Sequence, residues 1–189
     1  MSKKGKLFVF SAPSGSGKTT IVRDVLKNNP ELVFSVSATT RKKRDVEVEG
    51  KHYFFLSEEE FINKVDNNEF VEWEKFYGYY YGTLKKFIEE QLAEGNNVVL
   101  EVDVKGALSI KNTYPDSLLI FIAPPSKEIL IQRLKDRNTE TEEDLKKRIE
   151  RSEMELGFKD KFDIVVINDD LLKAKEEVKK IIDREITKE

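Results

Sequence analysis

The chain has 189 residues, with 33 Lys and Arg against 36 Asp and Glu and a formal net charge of −3 at pH 7. That length fits one domain with small inserts and a real core, and the charge balance makes no electrostatic case for a nucleic-acid or membrane binder. The absence of cysteine excludes disulfides and thiolate metal sites. No stretch is apolar for long enough to span a bilayer, so the expected location is cytoplasmic.

Leu7-Phe8-Val9-Phe10 is an apolar run with strand propensity. It leads into Pro13-Ser14-Gly15-Ser16-Gly17, and a helical pattern opens at Lys18 with Ile21, Val22, Val25 and Leu26 on its apolar side. Strand, glycine loop and helix is the context a phosphate-binding loop requires. Gly15 and Gly17 let the backbone N–H groups curl round a phosphate, and the helix N-terminus adds free donors and the positive end of its dipole. Lys18 can reach terminal phosphates, and the Thr19 hydroxyl can hold Mg²⁺. The first glycine of the usual G-x-x-x-x-G-K-[ST] pattern is Ala12 here, which requires negative φ at that position.

Asn28-Asn29-Pro30 ends the first helix. Phe34-Ser35-Val36-Ser37 reads as a short alternating strand leading into Thr39-Thr40-Arg41-Lys42-Lys43-Arg44. That basic run is either a solvated face or an anion cradle. From Gly50 to Gly82 aromatic residues crowd together, with short strands expected near Tyr53–Leu56 and Phe70–Glu74, a turn at Tyr77-Gly78-Tyr79, and a helix capped by Ser57 with Glu60. Glu72 is a lone carboxylate inside an aromatic strand; a solvent-facing pair with a lysine is the simple alternative to a ligand role.

A helix is expected over about 84–94, stopped by Gly95-Asn96-Asn97. Val98 to Val104 reads as a buried parallel strand carrying Glu101 and Asp103 on one face. Buried carboxylates need a cation, so Mg²⁺, a ligand group or a structural salt bridge is implied. Leu118–Ile122 is another apolar strand, and Ser126 caps the helix after it. Arg133 and Arg137 lie four apart on one helical face, where like charges repel, implying an anionic third party or, for Arg133, Asp136. A polar stretch with a capping box at Thr141 and Asp144 precedes a helix with Leu145, Ile149 and Leu156 inward and Arg148 beside them. This helix–loop–helix has the look of a mobile lid. Ile164–Ile167 is the last buried strand, and the final helix buries Leu171, Ala174, Val178, Ile181 and Ile182. The alternation outside the aromatic stretch predicts an α/β fold with a parallel sheet between helices.

The ordered set Ser11 to Thr19, Ser37-Ala38-Thr39-Thr40-Arg41, Asn68 to Trp73, Tyr80-Tyr81-Gly82-Thr83, Glu101-Val102-Asp103, Phe121 to Ser126 and Arg137-Asn138-Thr139-Glu140 resembles guanylate kinase over nearly the whole chain. The resemblance implies a P-loop core over about 1–36 and 96–189, a small mostly-β GMP-binding insertion over about 37–95 and a helical lid over about 126–158. It implies ATP-to-GMP phosphoryl transfer in purine nucleotide metabolism, dGMP included. Ser37, Glu72 and Thr83 then match positions that read guanine. Arg41, Arg44, Tyr53 and Tyr81 match those holding the GMP phosphate. The loop Ala12, Pro13, Ser14, Gly15, Ser16, Gly17, Lys18, Thr19 and Thr20 matches the ATP phosphate cradle, with Mg²⁺ on the side of Thr19 and Asp103. Asp103 is open to Mg²⁺, GMP or both, and Glu101 stands where members carry Asp or Glu. Arg133, Arg137 and Arg148 match the arginines closing over the transferred group, and Asn168 falls near the ATP adenine. The expected partners are these small molecules alone, in a monomer or small homo-oligomer.

Two rival readings exist. Asp103-Val104-Lys105-Gly106 and Asn63-Lys64-Val65-Asp66 fit GTPase motifs, but in the wrong order, and Asn63 falls in the helix capped by Ser57. A non-catalytic guanylate-kinase-like interaction domain should lack a working P-loop, whereas Lys18 and all three lid arginines are present here.

Overall fold

The computed structural model describes residues 4–136 and 142–188. The first apolar run forms β1 (Leu7–Ser11), buried at every position, and the chain turns through the glycine loop into α1 (Lys18–Asn28). There follow β2 (Leu32–Phe34), β3 (Ala38–Thr39), β4 (Phe54–Phe55), α2 (Glu58–Asp66), β5 (Phe70–Phe76), β6 (Tyr79–Leu84) and α3 (Lys85–Ala93). The second half contains β7 (Asn97–Glu101), α4 (Val104–Thr113), β8 (Leu118–Ala123), α5 (Lys127–Lys135), α6 (Glu142–Leu156), β9 (Ile164–Ile167) and α7 (Leu171–Thr187).

Five strands make a parallel sheet in the order β2-β7-β1-β8-β9. Because successive side chains in a strand point to opposite faces, β1 feeds two cores. Leu7 and Val9 pack with Ile88, Leu100, Ile110 and Phe121 on the α3–α4 side. Phe8 and Phe10 pack with Ile21, Val25, Val178 and Ile182 on the α1–α7 side. Helices cover both faces, which is why β1 contains no polar alternation. In register, Phe10 lies beside Glu101, so the carboxyl ends of β1 and β7 bring the glycine loop and Glu101 together.

A second sheet, β4-β3-β6-β5, carries the aromatic cluster. Phe61 of α2 stacks on Phe70 at 4.3 Å and on Tyr80 at 5.3 Å between ring centroids, closing a mini-core with Ala38. Tyr77 and Gly78 have φ of 48° and 82°, the left-handed pair a two-residue hairpin needs. Ser57 and Glu60 form the expected capping box. The two sheets join almost without a linker on the N-terminal side. The Ser35 N–H still donates to Val99 of β7 at 2.9 Å, and the Ser37 carbonyl already accepts from Phe54 of β4 at 2.9 Å. Only Val36 separates these anchors.

Several local expectations are corrected. The strand expected over Phe34–Ser37 ends at Phe34, because the chain leaves one sheet and enters the other there. β7 stops at Glu101, and Asp103 is the N-cap of α4, so strand alternation does not set its direction. β9 is an edge strand with Val165 and Ile167 exposed, not a buried one. Leu171 is exposed at the start of α7. The residues that α6 buries are Ser152 and Glu155, a polar pair, rather than Leu145 and Ile149. The expected Thr141–Asp144 capping box, like Arg137, lies outside the described residues.

Candidate active site

The glycine loop adopts the conformation its sequence requires. Gly15 and Gly17 have φ of 90° and 87°, and Gly17 is the N-cap of α1. A Cβ on Gly17 would stand 2.5 Å from Asn168 Nδ2, so both backbone angle and space demand glycine. Ala12 is not among the residues with positive φ and packs into the core, so alanine costs the loop nothing at its first position. Asn168 is buried, and its Nδ2 donates to the Ser16 carbonyl at 2.7 Å. It braces the loop from behind. The Asn168 carbonyl in turn accepts from Arg133 at 3.0 Å, which orients that arginine beside the loop; Asp136 is bonded to Gln132 and not to Arg133.

A cleft of about 480 Å³ opens over the loop. Lys18, at the start of α1, donates through Nζ to the Val102 carbonyl at 3.1 Å, which lays its ammonium along the cleft floor. The Thr19 hydroxyl donates to Glu101 Oε2 at 2.9 Å. A hydroxyl beside a carboxylate at the carboxyl end of a parallel sheet is a hard-oxygen pair of the kind Mg²⁺ takes when phosphates and water supply its other ligands. Among the described residues no group of three or more acidic or His side chains is arranged to hold a metal by itself. Asp103 lines the same cleft and has two protein partners. One of its oxygens accepts from the Gly106 N–H at 2.6 Å, and the other lies 3.5 Å from Arg151.

On the opposite wall stands Glu72. It points inward while its neighbour Trp73 faces solvent, which reverses the simple expectation for an aromatic strand. Its Oε1 accepts from the Thr83 hydroxyl at 2.5 Å, and Thr83 is fully buried. Burial, opposed by the Thr83 hydrogen bond and reinforced by Asp103, pushes the Glu72 carboxyl up to about 7. Gly106 leaves the space Glu72 occupies: a Cβ there would meet Glu72 Oε2 at 2.9 Å. Ser37, Tyr53, Tyr81 and Gly82 share this wall.

Arg41 is held in place by protein groups. Glu47 binds it in a two-pronged ion pair at 2.7 and 3.0 Å and also accepts the Arg44 backbone N–H at 2.8 Å. The guanidinium lies 5.4 Å over the Tyr53 ring, and the Tyr81 ring meets Tyr53 edge-on at 6.1 Å. These contacts hold the Glu47 carboxyl down to about 2, with Arg41 the main cause and the Arg44 N–H the next. Burial raises the Tyr53 phenol, aided by Tyr81.

Arg148 and Arg151 of α6 both border the cleft. The structure therefore gathers Lys18, Thr19, Ser37, Tyr53, Glu72, Tyr81, Glu101, Asp103 and Arg148 around one space, while Arg41, Arg44, Thr83, Arg133 and Asn168 are not part of its lining. Residues the sequence reading did not single out are Glu47, Glu74, Phe76, Arg151 and Glu155. Glu74 and Phe76 were within reach of the strand period from Glu72, and Arg151 and Glu155 of the helix period from Arg148.

A glycine loop between the central parallel strand and its helix, opposed across a cleft by a carboxylate on an inserted sheet, defines a P-loop nucleotide-binding α/β protein. The guanylate kinase family profile matches residues 4–185. A guanylate kinase of Chlorobium luteolum is 51% identical over 179 residues, covering 94% of this chain and 91% of that protein. A guanylate kinase of Thermotoga maritima is 48% identical over 185 residues, covering 98% and 89%. The crystal structure of guanylate kinase from Anaplasma phagocytophilum superposes with a TM-score of 0.78 at 28% identity, covering 98% of this chain and 88% of that one. The chain belongs to the guanylate kinase family. No described helix is long and apolar enough to cross a membrane.

Proposed function

We propose that this chain transfers the γ-phosphoryl group of ATP to GMP or dGMP, giving ADP and the guanosine diphosphate. The observation that carries this reading is a half-buried carboxylate, Glu72, across one cleft from the glycine loop. The loop amides and Lys18 take the ATP phosphates. Ser37, Glu72 and Thr83 take guanine, whose N1–H and 2-amino group offer two adjacent donors to one carboxylate. Arg41, Arg44, Tyr53 and Tyr81 take the GMP phosphate, since arginine forks and phenols suit phosphate oxygens.

The acceptor oxygen of GMP attacks the γ-phosphorus in line, so the protein's work is positioning and charge neutralisation. Arg133, Arg137 and Arg148 neutralise the transferring group, and a lid over about 126–158 closing on an insertion over about 37–95 keeps water from intercepting it. Thr19, with Glu101 and Asp103 nearby, would hold Mg²⁺, which would supply positive charge to offset that of the ATP phosphates. Asp103 serves this arrangement through α4 and the GMP side of the cleft.

The retained loop, Lys18 and the lid arginines do not favour a non-catalytic interaction domain. The Asn63-Lys64-Val65-Asp66 run lies inside α2 and reads no base. ADP formation from ATP and Mg²⁺ is the test. It should require added GMP and fail with AMP. ADP release at the same rate without GMP would overturn the reading.

A further inference from the structure

Arg151 meets three carboxylates and an aromatic ring at the edge of the cleft. Its Nη2 donates to both oxygens of Glu74 on β5, at 3.1 and 3.2 Å, and lies 3.5 Å from Asp103 at the N-cap of α4. Its Nε donates to Glu155 on its own helix at 2.9 Å. The guanidinium carbon sits 4.1 Å over the Phe76 ring of β5. One side chain of α6 therefore touches the inserted sheet twice, by ion pair and by ring face, and touches the parallel-sheet core through Asp103.

The charges make this contact more than a surface pair. Glu74, Asp103 and Glu155 are three carboxylates around one guanidinium, and Glu155 is buried. Without Arg151 these groups repel across the junction of helix, insert and core. The planar fork is needed as well as the charge, because it serves Glu74 and Glu155 from different nitrogens while its face covers Phe76. Arg148, one turn earlier on the same helix, also lines the cleft.

We propose that Arg151 is a positioning residue that ties the lid helix to the GMP-binding sheet and to Asp103, so that Arg148 and the base-reading wall are brought to the cleft as one unit. This rests on the kinase reading above. It deepens that reading by naming the residue through which the two closing parts are coupled. Arg151 acts through its neighbours and needs no contact with either nucleotide.

The absence of cysteine in the chain makes a direct measurement simple. Spin labels at Glu59→Cys on α2 and Glu150→Cys on α6, both exposed sites, report the distance from insert to lid helix without nucleotide. Arg151→Ala and the neutral, similarly shaped Arg151→Gln should each broaden that distribution and lower kcat at saturating ATP and GMP by about tenfold or more. Glu74→Gln should act in the same direction but less strongly, because the Asp103, Glu155 and Phe76 contacts remain, and the Arg151→Gln/Glu74→Gln pair should lose no more than Arg151→Gln alone, since the arginine is common to every tie. Arg151→Lys should recover part of the narrow distribution. A kcat within twofold of wild type in folded Arg151→Gln overturns the proposal, as does an unchanged distance distribution, or losses that multiply in the double variant. If wild type forms no GMP-dependent ADP, the kinase reading fails instead, and the distance measurement still decides whether the tie exists.

Discussion

Glu72 and Thr83 face each other across β5 and β6, with the buried threonine hydroxyl donating to the half-buried carboxylate at 2.5 Å. One Glu72 oxygen is thereby fixed, and the carboxylate plane is set toward the cleft. Guanine offers two donors on one edge, whereas adenine would set its bare N1 acceptor against the same oxygens. Sites built on such hydrogen bonds reject analogues by about 10⁴-fold. Replacing Glu72 by Gln should raise KM for GMP far more than it lowers kcat, because an amide accepts at only one end. IMP, which lacks the 2-amino group, should fall between GMP and AMP with wild type. Steady-state kinetics with the three nucleotides check this, and equal GMP kinetics in the two proteins would remove Glu72 from base reading.

The same residue makes a stability prediction. Its folded carboxyl is raised from 4.5 to about 7, so between those values the folded state holds a proton that the unfolded chain releases. Stability from this group therefore falls as pH rises through that window and stays low above it. At about 1.4 kcal/mol per pH unit, the upper bound is roughly 3 kcal/mol. Glu72→Gln should thus be more stable than wild type at pH 8, with the advantage shrinking toward pH 4.5. Denaturant midpoints across pH measure it, and a constant difference would refute it. In kinetics, the wild-type KM for GMP should fall as pH rises toward 7, relative to the variant, which controls for titration of GMP itself.

Lys18 extends along the cleft floor to the Val102 carbonyl and is not part of either core. Lys18→Met should leave the fold intact and lower kcat by about 10²-fold or more, as for loss of a preorganised charge. Circular dichroism with single-turnover assays checks both halves. A folded variant with near wild-type turnover would exclude Lys18 from the chemistry.

Glu47 holds Arg41 by two hydrogen bonds and Arg44 by one. Glu47→Ala should free the arginine and raise KM for GMP severalfold with a smaller change in kcat, since the loss is in ground-state binding. Its depressed carboxyl stabilises the fold above about 4.5, and that contribution disappears as pH falls toward about 2. Acid unfolding of the variant should accordingly be less steep in that interval. Inorganic phosphate protection against heat, compared in the two proteins, measures the clamp directly.

Gly17 combines a left-handed backbone with a close approach to Asn168. Gly17→Ala should therefore weaken ATP use at least tenfold while Gly78→Ala, with open space around its Cβ, should cost only backbone strain of about 1 kcal/mol or so and leave KM for ATP alone. Thermal shifts with and without ATP separate the two.

The phosphate loop was legible in the sequence because every determinant of it lies within one strand, one turn and one helix start. The parallel sheet was legible for a similar reason: β1, β7 and β8 carry unbroken apolar runs. Asp103 was misread as a strand residue, although Asp three positions before Gly106 is also an N-cap signature and the capping bond is what the structure contains. The burial of Ser152 and Glu155 could not be read from α6 at all. Their polarity suits a helix that faces a cleft, and only the tertiary arrangement decides which helix does so. Glu47 sits six residues from Arg41 in an irregular polar loop, where no period connects partners. Local chemistry was visible, and pairings made by chain topology were not.

The single residue between the two sheets has a mechanical meaning. With Ser35 pinned to β7 and Ser37 to β4, the inserted sheet can swing about Val36 but has little chain with which to slide. On the function proposed above, guanine binds on the inserted sheet and the donor phosphates on the parallel-sheet core. The reach between attacking oxygen and phosphorus then depends on the angle at this joint, much as the gap of a pair of tongs depends on its pivot, and on the contact of Val71 with α4 that holds the arm against the frame.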